Sequence, residues 1–147
     1  MSNLRSISSA NSVLTLSVEE IDPSGFVVDD FSSGDPYGSD NVTSTVIRMT
    51  QDGKLLAGFK HTSKPFKIIL EPTSSALQKL LNVVNHEKLN GKNYFFNGTL
   101  YIPSLELEFS LISGVIESHP ELISSKEVLE PTTWQFQFEN VELSSVK

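Results

Sequence analysis

Cysteine is absent from all 147 residues, which excludes disulfides, zinc–thiolate centres and thiol nucleophiles. Long apolar runs are absent too, so no segment is expected to span a bilayer as a helix and no membrane partner is expected. The opening Met1-Ser2-Asn3-Leu4-Arg5-Ser6 is polar and lacks the apolar core of a secretory signal. A chain built in a reducing cytoplasm is the expectation. The sequons Asn41-Val42-Thr43 and Asn97-Gly98-Thr99 are then expected to be chance matches. Catalytic signatures are equally scarce. There is no Gly-x-Ser-x-Gly elbow and no phosphate-binding or dinucleotide-binding glycine pattern. His61, His86 and His119 stand apart, with no metal-ligand partner at helical spacing. The acidic stretch 29–40 lacks the calcium-loop spacing. Glu106 and Glu108 share one strand face, which is the ordinary pattern of a solvated surface rather than of paired catalytic carboxylates. No enzyme activity, cofactor or metal is expected.

Basic residues are few, 11 against 18 acidic ones, for a net charge of -7. Residues 19–40 carry Glu19, Glu20, Asp22, Asp29, Asp30, Asp35 and Asp40 and no base. Residues 42–92 are basic on balance, and from Glu106 to Glu142 only Lys126 interrupts the acids. The ordinary reading of this pattern is solubility; the sharper one is a subunit with oppositely charged faces, suited to head-to-tail stacking. The pattern does not suit tight nucleic-acid binding, which needs a basic stripe interleaved with aromatics.

What is present is β patterning over a length typical of one domain, 1–147, able to bury roughly 70% of its unfolded surface. Residues 1–12, rich in Ser and Asn, read as a loose arm. Leu14, Leu16 and Val18 alternate with polar residues and pair as a hairpin with Phe26-Val27-Val28. Residues 29–41, DDFSSGDPYGSDN, read as an irregular loop whose Phe31 and Tyr37 suggest a docking role. Residues 42–60 form a long hairpin about Asp52-Gly53, a strong turn signal. Neither of its faces reads as cleanly apolar or polar, so it suits cover on both sides. Phe66, Ile68 and Leu70 mark another strand. Leu77, Leu80, Leu81 and Val84 then recur at helical spacing, giving a helix over about 74–89 with Gly91 just beyond its end. Strands follow over Tyr94–Ile102 and Leu105–Leu111. Trp134, Phe136 and Phe138 face the core from the last strand, where a parity slip toward Val141 and Leu143 predicts a bulge near Glu139-Asn140. The fold class is mainly β: a β-sandwich or squashed barrel with one flanking helix.

This order of elements resembles the tail-tube proteins of phages. The resemblance covers a strand pair, an irregular loop, the hairpin Val42–Lys60, the passage Leu70-Glu71-Pro72-Thr73-Ser74 into one helix, and a closing Trp-x-Phe-x-Phe strand at Trp134–Phe138. It is most similar to the contractile-tail type and more distantly similar to the type VI secretion tube protein. It rests on element order and local patterns, with no single diagnostic motif. The resemblance implies homo-hexameric rings, stacked into a conduit through which DNA only passes. It further implies sheath, baseplate and terminator proteins as partners, and a place in the virion tail after assembly in the host cytoplasm. The assembly residues expected are Val42, Ser44, Val46, Arg48, Leu56 and Lys60 on the hairpin, with Phe31 and Tyr37 on the loop. The alternative is a monomeric β-sandwich binding module of a tail tip or adhesin.

Overall fold

The computed structural model describes residues 12–32 and 36–146; the arm expected over 1–12 therefore lies, apart from Ser12, outside the described residues. The fold is mainly β with one helix. Seven antiparallel strands form a curled half-barrel in the order β2-β1-β7-β8-β9-β6-β3. The strands are β1 (Val13–Val18), β2 (Asp22–Val28), β3 (Tyr37–Gly38), β6 (Lys64–Leu70), β7 (Phe96–Ile102), β8 (Leu107–Ser118) and β9 (Thr132–Val146). Two further strands, β4 (Thr45–Met49) and β5 (Leu55–Phe59), pair only with each other.

Period-two burial assigns the inner face of the sheet. Leu14, Leu16 and Val18 of β1, Phe66, Ile68 and Leu70 of β6, and Trp134, Phe136 and Phe138 of β9 are all buried. The Trp134 indole N–H donates to the Thr132 hydroxyl at 3.1 Å, so the core carries this polar group satisfied. Helix α1 (Ser75–Asn90) closes over the same core with Ala76, Leu77, Leu80, Val83 and Val84, while Leu81 packs at its margin. Gly91 ends the helix in the left-handed region, φ 64°, with its N–H on the Glu87 carbonyl at 2.8 Å.

The expected bulge at Glu139-Asn140 is corrected in its placement. The parity of β9 does slip, with Phe138 inward and Val141 next inward. However, β8 slips at the same level, burying Leu111 and then Gly114, so the β8–β9 register runs unshifted from Ile112↔Asn140 to Gly114↔Phe138. The extra residue appears on β8 against β7, between the pairs Gly98↔Leu111 and Phe96↔Gly114. Ser113, at φ 51°, makes the turn, and its N–H donates to the Asn97 side-chain carbonyl at 3.0 Å.

Directly after that bulge the buried Phe138 ring lies where a β-carbon on Gly114 would be. Gly114→Ala must displace the ring within a closed core. It is expected to cost about 1–3 kcal/mol, measured by denaturant unfolding, with the strand content at low temperature unchanged.

Candidate assembly surfaces

The segment 29–41 is tied to its own chain in its described part. One oxygen of the Asp29 carboxylate accepts from the hydroxyls of Ser74 and Ser75 and from the Ser75 N–H, each at 3.0 Å, and from the Ala76 N–H at 3.4 Å. Ser74 itself makes no side-chain cap, so α1 is capped by a carboxylate 45 residues earlier in the chain. Asp30 accepts from the Thr73 hydroxyl at 2.9 Å and, through its carbonyl, from the Glu71 N–H at 2.8 Å. Phe31 bridges to Leu70, and Tyr37-Gly38 forms the edge strand β3 against β6.

Phe31 and Tyr37 meet edge to face at 6.0 Å, and Tyr37 lies 6.4 Å from Phe66. Both rings are half-buried against the chain's own core. The Tyr37 hydroxyl lies 3.0 Å from that of Ser12. Tyr37 also lines an apolar cleft of about 320 Å³ across the mouth of the half-barrel, with Phe66, Leu100, Phe109, Leu111 and Val141.

The hairpin is the other surface. Every residue of β4 and β5 is exposed. The turn is closed by the Thr50 N–H on the Lys54 carbonyl at 2.8 Å, and the base by the Lys60 N–H on the Ser44 carbonyl at 2.9 Å. The Asp52 carboxyl is held below its ordinary value by the hydrogen bond from the Thr50 hydroxyl. Register sorts the side chains in a way that the linear sequence does not. Thr45↔Phe59, Ile47↔Ala57 and Met49↔Leu55 share one face, and Val46↔Gly58 and Arg48↔Leu56 the other. The first face is apolar, and Ile47, Met49, Leu55 and Phe59 are 61%, 62%, 60% and 74% exposed.

The expectation that neither face is clean is therefore corrected: one face is apolar, and the other carries Val46, Arg48 and Leu56. The residues proposed from sequence (Ser44, Val46, Arg48, Leu56 and Lys60) cluster on that mixed side, with Val42 before the strand. Ile47, Met49, Leu55 and Phe59 were missed. Counting outward from the Asp52-Gly53 turn, which fixes the register, is the signal that would have found them.

Hydrogen-bonded pairs alternate along an antiparallel ladder, so the bonded pairs at Thr50–Lys54 and Ser44–Lys60 imply the same at Val46–Gly58 and Arg48–Leu56. The N–H groups of Ile47 and Ala57 consequently point away from the hairpin, one to each outer edge. A proline at Val46 breaks the hairpin itself, whereas prolines at Ile47 and Ala57 block only its edges.

Charge is distributed differently from the simple reading of opposite faces. The acidic turn lies beside basic residues of α1 and its C-terminal flank, through Glu20–Lys92 at 2.9 Å and Asp22–Lys79 at 3.9 Å. These pairs are exposed and contribute little stability. The hairpin remains a basic projection, with Arg48, Lys54 and Lys60 against Asp52. Among the described residues no group of three His, Asp or Glu side chains could hold a metal ion, and no helix is long and apolar enough to cross a membrane.

The architecture is shared with components of contractile injection systems. A chain of the anti-feeding prophage baseplate, 6-fold symmetrised, aligns over 97% of this chain and 97% of its own, at TM-score 0.54 and 13% identity. A chain of the anti-feeding prophage tube-terminating cap aligns over 96% of this chain and 92% of its own, at TM-score 0.55 and 11% identity. A chain of the sheath/tube terminator of the extracellular contractile injection system PVC, in its extended state, aligns over 90% and 93%, at 0.53 and 12%. At these identities the likeness is one of fold. No curated protein matches the sequence significantly. The chain belongs to the E217 Gp32 family, described as tail fiber protein gp32, whose family model matches residues 5–142. It is a structural component of a phage tail.

The Asp29 cap yields a pH-dependent expectation. Desolvation works to raise its carboxyl pKa, but the hydrogen bonds from Ser74, Ser75 and the first-turn amides outweigh it and hold the group below its ordinary 3.8. A depressed folded-state value stabilises the fold above the unfolded value, and that stability is lost as pH falls through the folded one. Asp29→Ala is expected to cost about 1 kcal/mol near neutral pH. The gap between variant and parent in thermal melts should shrink as pH drops below 3.8.

Proposed function

We propose that this protein is a self-assembling subunit whose rings stack into the tail tube, the conduit for DNA during ejection. One observation carries the reading: the β4–β5 hairpin, exposed at every position, has backbone donors on both outer edges and, among the described residues, no further partner strand. An exposed, unpaired strand edge of this kind templates pairing with another chain. Hairpins joined edge to edge in a ring satisfy those donors and close the sheet, which removes the edges altogether. The basic hairpin on a chain of net charge -7 favours attraction between copies. Tyr37, which remains half-exposed at the cleft, supplies a second contact surface in this reading, and Phe31 beside it holds the segment in place. The partners in this reading are further copies and the sheath, baseplate and terminator proteins of the same tail, in a particle assembled in the host cytoplasm. The protein acts without catalysis or cofactor.

A second reading has a specific observation behind it. Structural neighbours come from a baseplate, a sheath/tube terminator and a tube-terminating cap. A subunit at a tube end would form one ring without stacking. Light scattering with electron microscopy of the purified protein distinguishes the two: tubes support the first reading, single rings the second, and a monomer at 16.2 kDa opposes both.

The edge geometry makes the assembly test sharp. Ile47→Pro and Ala57→Pro leave the internal hairpin ladder intact, and each is expected to abolish rings while the thermal melt stays within about 1 kcal/mol of the parent. Ordered rings from either variant would contradict edge-to-edge assembly. Attraction between the basic hairpin and acidic surface is screened over about 8 Å at physiological ionic strength, so sedimentation should show assembly weakening as salt rises.

A further inference from the structure

Resting on the self-assembly reading, we infer that the apolar face of the hairpin is seated in the half-barrel cleft of a second copy, with Phe59 as the anchoring ring. Edge pairing alone satisfies the backbone of β4 and β5 and leaves this face in water. Ile47, Met49, Leu55 and Phe59 form a contiguous apolar face, more than half exposed at each position. Contiguous patches of this kind mark interaction sites, whereas scattered exposed apolar residues do not.

The same chain carries the matching concavity. The cleft lined by Tyr37, Phe66, Leu100, Phe109, Leu111 and Val141 measures about 320 Å³, room for an aromatic ring with an aliphatic neighbour. Its walls come from β3 and β6 on one side and β7, β8 and β9 on the other. It exists because β9 pairs with β6 only over Thr132–Phe138, so beyond Phe138 the half-barrel stays open.

Charge adds a partial complement. Asp40 follows the cleft residue Ser39 and Glu142 follows Val141, both exposed, while Lys64 and Lys67 flank the cleft residues Pro65 and Phe66. The hairpin brings Arg48, Lys54 and Lys60. An apolar projection set against an apolar cleft of the same chain, with Asp40 and Glu142 at the rim to meet its basic residues, is a self-complementary but non-identical pair. That pairing is heterologous and propagates from copy to copy. The mixed face with Val46, Arg48 and Leu56 is then left turned away from the contact.

The absence of cysteine allows a direct test on the full chain. Phe59→Cys protein is mixed with Val141→Cys protein and treated with a short bismaleimide, and the mixed cross-link is quantified by mass spectrometry. Val46→Cys with Val141→Cys is the control from the opposite face, and Tyr37→Cys replaces Val141→Cys as a second reporter should that variant fold poorly. Light scattering reads assembly in each mixture. The expected result is an oligomer in which the Phe59 cross-link exceeds the Val46 cross-link roughly tenfold, since contact raises the local thiol concentration toward the mM range. An oligomer showing no preference for Phe59 overturns this inference and leaves self-assembly standing. Monomers in every mixture overturn both. A double variant, Phe59→Cys with Val141→Cys, that cross-links only within one chain also overturns it, because the hairpin would then cover its own cleft.

Discussion

The pairing of β9 with two different strands holds the structure together. From Gln135 to Val146 β9 pairs with β8, and over Thr132–Phe138 it pairs on its other side with β6. No other described strand joins β2-β1-β7-β8 to β6-β3. The shared stretch is also where Trp134, Phe136 and Phe138 turn inward, with Phe96 against Phe136 at 5.2 Å and Phe66 against Phe138 at 6.2 Å. Backbone ladder and aromatic packing therefore support one another at the same residues, and the helix has a floor to cover only because this seam exists. Where β9 runs on past β6, the floor ends and the cleft begins.

Family membership marks a tail component, and under the self-assembly proposal the surfaces explain how one chain could serve as a repeating part. Most of the sheet is closed off against further pairing. One edge strand, β3, has two residues, and the other, β2, carries Pro23, which lacks a donor. The hairpin has neither defence. Its apolar face also lacks the charges that usually blunt such an edge; Arg48 lies on the opposite side. The contrast within one chain distinguishes edges shaped to stay apart from an edge left open.

Much of the fold was legible in the sequence because strict alternation and helical spacing are local signals. Leu14, Leu16 and Val18, the Trp134–Phe138 triplet, the helix stripe and the Gly91 stop all sit as their spacing indicates. Features set by distant parts of the chain were not legible. Asp29 caps a helix that starts 46 residues later, and nothing in the loop composition marks it for that task. The parity slip at Phe138–Val141 was visible, but its bulge belongs to β8, because register is a property of three strands and not of one. The hairpin was legible as a segment but not as two distinct faces. Reading 42–60 linearly mixes Arg48 with Ile47 and Met49; pairing the strands separates them.

The exposed hairpin has a consequence for how the molecule matures. A two-stranded ribbon with no core beneath it is marginal by itself in water. Here the ribbon is closed by the Thr50–Lys54 turn and the Ser44–Lys60 base, while its side chains remain in solvent. The seven-stranded sheet can therefore complete its folding as a single chain, and in the self-assembly reading the ribbon draws most of its stability from the copy that comes to lie against it. In that reading folding is finished in two places and at two times, and the concentration of neighbouring copies, rather than temperature alone, decides whether the ribbon is ordered.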